Sequence, residues 1–235
     1  MYGNSYVIQS AQTGPHEKLA EVVLRHRDTV FRKPVAAHSR HAFDEAMSHW
    51  DGRAPIVLDA GCGVGWSTLN LAREFPDHLV LGVDQSSDRL ARGKPETRDN
   101  AHFVRADLVD FWRLLHAAGV RVARHYILYP NPWPKIGQLT RRWHGMAVFP
   151  TVLALGGRLE CRSNWQIYAE EFALAVGLLT GATPAVEPWN PRHAITPFER
   201  KYQDSGQPLY RVVIDLPFVP MATDTVAALQ SGSPS

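Results

Sequence analysis

The stretch IVLDAGCGVG, Ile56–Gly65, decides the fold. A short apolar run ends in a carboxylate, Asp59, and passes directly into three glycines at alternate positions, Gly61, Gly63 and Gly65. A helical segment, WSTLNLAREF (Trp66–Phe75), follows. A near-continuous apolar run suits a strand buried on both faces. Glycine tolerates positive φ and lets a ligand approach the backbone closely. Strand, glycine turn and helix together read as the first half of a βαβ unit.

The same pattern repeats on the C-terminal side. HLVLGVD (His78–Asp84) is a second apolar run ending in a carboxylate, and AHFVRAD (Ala101–Asp107) a third, with a helix LVDFWRLLHAA after it. RHYILYP (Arg124–Pro130) and GGRLECRS (Gly156–Ser163) are the fourth and fifth. Strands alternating with helices predict an α/β, doubly wound, mostly parallel sheet with helices on both faces. PLYRVVIDLPF (Pro208–Phe218) reads as a last strand, antiparallel to the others. Two helices, around Glu17–His26 and Arg40–Trp50, precede the turn DGRAP, so residues 1–50 are expected to form a helical extension. Residues 51–220 form the α/β domain and 221–235 a frayed tail. In such sheets ligands bind outside the carboxyl ends of the strands, so Asp59, Asp84, Asp107 and Asn131 are expected to converge on one crevice.

At 235 residues, 45% hydrophobic and 20% charged, the chain suits one globular α/β domain. No apolar run reaches the roughly 18 residues a membrane helix needs. The N-terminus lacks a basic region followed by an apolar stretch, so no secretory signal is read there. Cys62 and Cys161 lie far apart without metal-ligand spacing, and the eleven histidines show no helical pairing. These features predict a cytoplasmic protein with two buried thiols and no metal, and a monomer is the simplest state. The net charge of +2 does not select a partner. Basic residues cluster at Arg25–His41 and at Arg141, Arg142 and His144, and such clusters neutralise phosphates or are simply solvated.

The glycine loop carries chemistry of its own. A dinucleotide fingerprint reads G-x-G-x-x-G, whereas here the third glycine comes one residue early and an acid stands two residues before the first. A carboxylate at Asp59 repels a pyrophosphate but suits a ligand bearing an amino group or a sulfonium, which favours S-adenosylmethionine over NAD. Asp84, ending the next strand, is placed to accept hydrogen bonds from ribose hydroxyls. In this order of acid, glycine loop and second acid the chain resembles the class I methyltransferases. The resemblance implies that Asp107 lies beside the adenine and Asn131 near the reactive methyl group. Cys62, Val64 and Trp66 are then packing residues or pocket wall.

The segment YILYPNPWPK (Tyr126–Lys135) cannot be helix interior or inner strand, because its three prolines lack N–H groups and fix φ. It is similar to the FPDPWPK loop of the bacterial tRNA (guanine-N7)-methyltransferases. That family carries an arginine pair shortly afterwards, matched by Arg141 and Arg142; a TDW…YAE segment, matched by SNWQIYAEE (Ser163–Glu171); and a TKFE signature followed by a glycine, matched by TPFERKYQDSG (Thr196–Gly206). The resemblance spans roughly Ile56–Phe218. It implies an acceptor side lined by Asn131, Trp133, Lys135, Arg141, Arg142, Asn164, Thr196 and Glu199, and tRNA as partner. Read as structure instead, Lys135 is a solvated loop residue, Trp133 and Tyr129 are core aromatics, and Thr196 and Glu199 begin a short helix.

Two family aspartates are Asn131 and Asn164 here, which keeps hydrogen bonding but removes charge. Guanine N7 has a free lone pair and needs no general base. Positive charge develops on the purine, and a carboxylate would stabilise it by on the order of 2–4 kcal/mol more than an amide dipole. The substitutions leave two alternatives: an enzyme acting on a small nitrogen heterocycle or exocyclic amine through an NPP-like loop, and a catalytically silent protein that binds S-adenosylmethionine or RNA.

Overall fold

A computed structural model describes residues 5–221, apart from 30, 93 and 95. Of the tail expected at 221–235, residues 222–235 lie outside the described residues. In chain order the elements are α1 (Leu19–Arg27), α2 (Ala37–Ser48), β1 (Ile56–Ala60), α3 (Trp66–Glu74), β2 (Leu79–Asp84), α4 (Ser87–Leu90), β3 (Ala101–Arg105), α5 (Leu108–Ala117) and β4 (Val122–Leu128). Two 3₁₀ turns, Ile136–Arg141 and Trp143–Gly145, lead to α6 (Phe149–Ala154), β5 (Gly157–Ser163), α7 (Gln166–Thr180), β6 (Val186–Pro188), α8 (Pro197–Asp204) and β7 (Tyr210–Leu216). The sheet has seven strands in the order β3-β2-β1-β4-β5-β7-β6. β1 pairs parallel with β2 and β4, and β2 with β3, while β6 and β7 run antiparallel. The doubly wound sheet expected from the apolar runs is therefore present, with its order reversing between β1 and β4.

The chain forms two compact units, one of residues 32–126, 151–159 and 215–221, the other of residues 5–31, 127–150 and 160–214. Residues 5–31 belong to the second unit and 32–50 to the first. In the first unit every residue of β1 and β2 is buried, which is why both strands read as continuous apolar runs. Phe111, Trp112 and Leu115 of α5 are fully buried, and Phe43 of α2 packs edge-on against Phe111 with ring centroids 5.6 Å apart. In the second unit α7 buries Tyr168, Phe172 and Val176, and Phe149 meets Phe172 edge to face. Cys62 and Cys161 are buried free thiols, and burial pushes both above the ordinary thiol range. Among the described residues no helix is long and apolar enough to cross a membrane.

Candidate active site

In the first unit, β1 delivers Asp59 and the glycine loop. Gly61, Gly63 and Gly65 all take positive φ, at 82°, 59° and 84°, a conformation other residues resist. The loop is anchored from below: the N–H groups of Gly61 and Cys62 both donate to the Val83 carbonyl, at 2.8 and 3.1 Å. A Cβ on Gly63 would meet no heavy atom within 4 Å, and one on Gly61 only Leu108 Cδ1 at 3.9 Å. Those two glycines thus leave a surface open to a ligand. Gly65 differs, since a Cβ there would overlap the Phe103 ring and lie 3.1 Å from Lys94 Cε.

Asp59 is 1% exposed, and its Oδ2 accepts from the hydroxyls of Ser67 and Thr68 at 2.6 and 2.7 Å. Thr68 reaches it because α3 packs tightly on β2 at Gly82, where any side chain would collide with Thr68. The carboxylate ties β1 to the first turn of α3, while the glycine backbone at 61 and 63 stays open.

Asp84 at the end of β2 accepts from the N–H groups of Gly63 (2.9 Å) and Ser86 (2.8 Å), with Arg89 Nη1 at 3.7 Å. An ionised carboxylate has about four acceptor positions, so room remains for two hydroxyl donors. Asp107 caps α5 by accepting from Val109 N–H at 2.9 Å, and its other oxygen meets Lys33 Nζ at 3.3 Å. A pocket of about 370 Å³ opens beside it, lined by Lys33, His38, Gln85, Arg105, Asp107 and Asp110 among others. That volume falls in the range of small-ligand sites. A nucleoside fits this set: the open glycine backbone, the part-satisfied Asp84 and the polar pocket at the ends of β2 and β3. Gln85 and Lys33 were not foreseen from sequence, although Gln85 directly follows Asp84.

In the second unit, the proline loop that follows β4 is bounded by two aromatic residues at positive φ, Tyr129 at 51° and Trp133 at 47°. Positive φ is strained for a bulky side chain. Tyr129 is held by a buried carboxylate, and Trp133 by a buried arginine that a second carboxylate pairs. Glu199, fully buried, accepts from Tyr129 Oη (2.6 Å), Arg162 Nη1 (3.0 Å), Trp189 Nε1 (3.0 Å) and the Ile195 N–H (2.8 Å). Burial, and then the Glu199 charge, raises the Tyr129 hydroxyl, so it remains a donor. Thr196 caps α8 by accepting from the Glu199 N–H at 2.9 Å, with Pro197 opening the helix. Thr196 and Glu199 therefore support the loop from beneath and do not line an open acceptor surface.

Trp133 is held by Arg142, whose Nε and Nη2 donate to the Trp133 carbonyl at 3.2 and 3.0 Å. Arg142 is fully buried and paired with Glu171, which also accepts from His144 Nε2 at 2.9 Å. Its expected place as a phosphate ligand is corrected: its charge is spent inside the fold. Burial opposes charge on Glu171, but the hydrogen bonds and charges of His144 and Arg142 outweigh it and hold the carboxyl down at about 2. Burial lowers His144 against the pull of Glu171, so Arg142, which is always charged, is the lasting counter-charge.

Between these two supports Asn131 is exposed and makes no side-chain hydrogen bond among the described residues. Lys135 and Arg141 are exposed as well, and the Arg141 guanidinium sits 4.9 Å from the centre of the half-buried Trp133 ring. Asn164, half-buried, donates from Nδ2 to Gln207 Oε1 at 2.8 Å. Sequence reasoning missed the supports Gln12, His144, Arg162 and Trp189, and assigned Glu171 no role beyond the motif it closes.

A doubly wound sheet with a glycine cradle after β1 and an acid at the end of β2 defines a nucleotide- or nucleoside-binding α/β protein of methyltransferase type. The chain belongs to the family described as "Putative methyltransferase", whose profile matches residues 53–212. It is 31% identical over 170 residues to the tRNA (guanine-N(7)-)-methyltransferase of Treponema pallidum (strain Nichols), covering 68% of this chain and 66% of that protein, just under two thirds of its length. It is 27% identical over 209 residues to the protein of the same name from Bordetella pertussis, covering 80% and 82%. Among solved structures it is similar in fold to the 16S rRNA methyltransferase KamB, with a TM-score of 0.52 at 19% identity, covering 80% of this chain and 98% of that one.

Proposed function

We propose that this protein is an S-adenosylmethionine-dependent methyltransferase acting on guanine N7 of tRNA in the cytoplasm. The observation that carries the reading is its likeness, across the whole matched domain, to curated relatives bearing that name. Exposed Asn131, Lys135 and Arg141 around the Trp133 ring support an acceptor surface for a planar base and its phosphates. Neither a small-heterocycle substrate nor a silent binding role is favoured by any feature of the described residues.

The cofactor supplies an electrophilic methyl group carried on a sulfonium. Gly61 and Gly63 would offer it bare backbone, Asp84 would accept from its ribose hydroxyls, and the pocket beside Asp107 would receive its base. On the acceptor side the chain removes no proton, because N7 presents its lone pair directly. The stiff loop orients the purine, and the Asn131 amide oxygen points a dipole at the charge that develops on the ring. Glu199 does not replace the missing carboxylate, since four donors already share its charge.

Incubation with labelled S-adenosylmethionine and unmodified tRNA, followed by nucleoside mass spectrometry, tests this. The wild type should yield N7-methylguanosine. Asn131→Asp should accelerate turnover by roughly 30- to 1,000-fold, the rate equivalent of about 2–4 kcal/mol. A wild type that binds S-adenosylhomocysteine yet forms no N7-methylguanosine would overturn the reading.

A further inference from the structure

We propose that residues Ser5–His16 form a strap that positions the acceptor loop, with Ser10, Gln12 and His16 as positioning residues and Asn164 as an anchor of the strap. The inference rests on the proline loop's being the acceptor loop. Four consecutive carbonyls of that loop, Trp133 to Ile136, accept hydrogen bonds, and the strap serves two of them directly. Ser10 Oγ donates to the Pro134 carbonyl at 2.6 Å. His16 Nε2 donates to the Ile136 carbonyl at 3.1 Å, its tautomer set by the Lys18 N–H, which donates to His16 Nδ1 at 3.0 Å. Of the other two carbonyls, Trp133 is held by Arg142 at 3.0 Å, and Lys135 accepts from the Gln138 N–H at 3.0 Å with Arg142 Nη2 at 3.5 Å.

Gln12 ties the strap to that arginine. Its Oε1 accepts from Arg142 Nη2 at 3.0 Å, while its Nε2 donates to Glu171 and to the Gly14 carbonyl. The His16 N–H donates to the same Glu171 carboxylate at 2.9 Å. Glu171 thus has two donors from the strap and two from the residues that follow the loop, and neither set alone satisfies it. A carbonyl cannot donate, so the strained φ of Trp133 persists only while donors from outside the loop hold its neighbours in place.

The far end of the strap explains Asn164. The Ser5 carbonyl is an acceptor only, so Gln207 must turn its Nε2 toward it, at 2.8 Å. Gln207 Oε1 then faces residue 164, which must present a donor, and Asn164 Nδ2 does so. An aspartate at 164 would face an acceptor. The amide at 164 is therefore matched to the strap, and it joins the SNWQIYAEE segment to the segment ahead of α1.

The test uses the full chain labelled with 5-fluorotryptophan, with the Trp133 ¹⁹F resonance assigned through Trp133→Phe. In the triple variant Ser10→Ala/Gln12→Ala/His16→Ala the Trp133 line should shift and broaden, while the line of Trp112, buried in the other unit, stays in place. Ser10→Ala alone should give a smaller shift of the same sign, and Ser10→Thr, which keeps the hydroxyl, should leave the line where it is. On tRNA, kcat should fall by about 10- to 100-fold with KM for the cofactor unchanged, as loss of orientation requires. If the triple variant unfolds, Ser10→Ala decides. A Trp133 line unmoved in the folded variant overturns the strap whatever the turnover, whereas a moved line with no tRNA methylation by the wild type keeps the strap and removes the substrate.

Discussion

The glycine loop and the proline loop each carry the chain out of a parallel strand, and each needs residues at positive φ. They meet that need in opposite ways. The glycine loop uses Gly61, Gly63 and Gly65, for which the conformation is nearly free, and a few hydrogen bonds to Val83 and Asp84 suffice to hold it. The proline loop uses Tyr129 and Trp133, for which it is strained, and recruits two fully buried carboxylates to hold them. A cradle must leave its backbone bare, so glycine serves it. An acceptor platform, the role proposed for the proline loop, must show aromatic and polar side chains in a fixed direction, so it cannot use glycine and must be clamped.

The clamp gives the largest expected effect. Arg142→Met leaves Glu171 buried and without its permanent counter-charge, which costs about 3–5 kcal/mol when one partner of a buried pair is removed. Urea unfolding of the wild type and of the variant measures it. The double variant Arg142→Met/Glu171→Met should recover much of the loss, since two apolar side chains of similar length leave no buried charge. A single variant within about 0.5 kcal/mol of wild type would show that the loop does not depend on this pair.

A smaller effect comes from adding to the glycine loop the strain it avoids. Gly65→Ala at φ 84° places a methyl group against Phe103 and should cost about 1–3 kcal/mol. Gly61→Ala meets only Leu108 Cδ1 and should cost less, the backbone strain alone. Equal losses at the two sites would mean that Phe103 yields and that the crowding at Gly65 has no structural weight.

The same contrast explains how much of the protein was legible in its sequence. β1 and β2 could be read because strands buried on both faces are apolar without a break, and the turn at Gly61 and Gly63 because glycine announces positive φ. β6 escaped because it is a three-residue edge strand ending in Pro188, and α7 because it is apolar nearly all round and shows no stripe. The clamp was the hardest to foresee. Arg142 looks like a phosphate ligand until Glu171 and Gln12 are seen around it, and neither is near it in the chain. The donors to Asp59 were hidden for a related reason: an acid beside a glycine loop suggests a ligand contact, while the two hydroxyls it accepts from lie on the next helix.

The finest probe acts at Trp133 itself, where the two loops can be made alike. Alanine at φ 47° carries the left-handed strain of about 1–2 kcal/mol, and glycine does not. Glycine instead loses about 0.4–1 kcal/mol through the greater freedom of the unfolded chain. The difference leaves Trp133→Gly more stable than Trp133→Ala by about 0.5–1 kcal/mol, the reverse of the order expected at an unstrained position. Both variants lose the ring and its stacking on Arg141, so that loss cancels from the comparison. Repeating the pair in an Arg142→Met background sharpens it. Once the guanidinium no longer grips the Trp133 carbonyl, the backbone is free to leave positive φ, and the advantage of glycine should disappear. An advantage that survives the loss of Arg142 would locate the strain in the prolines on either side, Pro132 and Pro134, and not in the clamp.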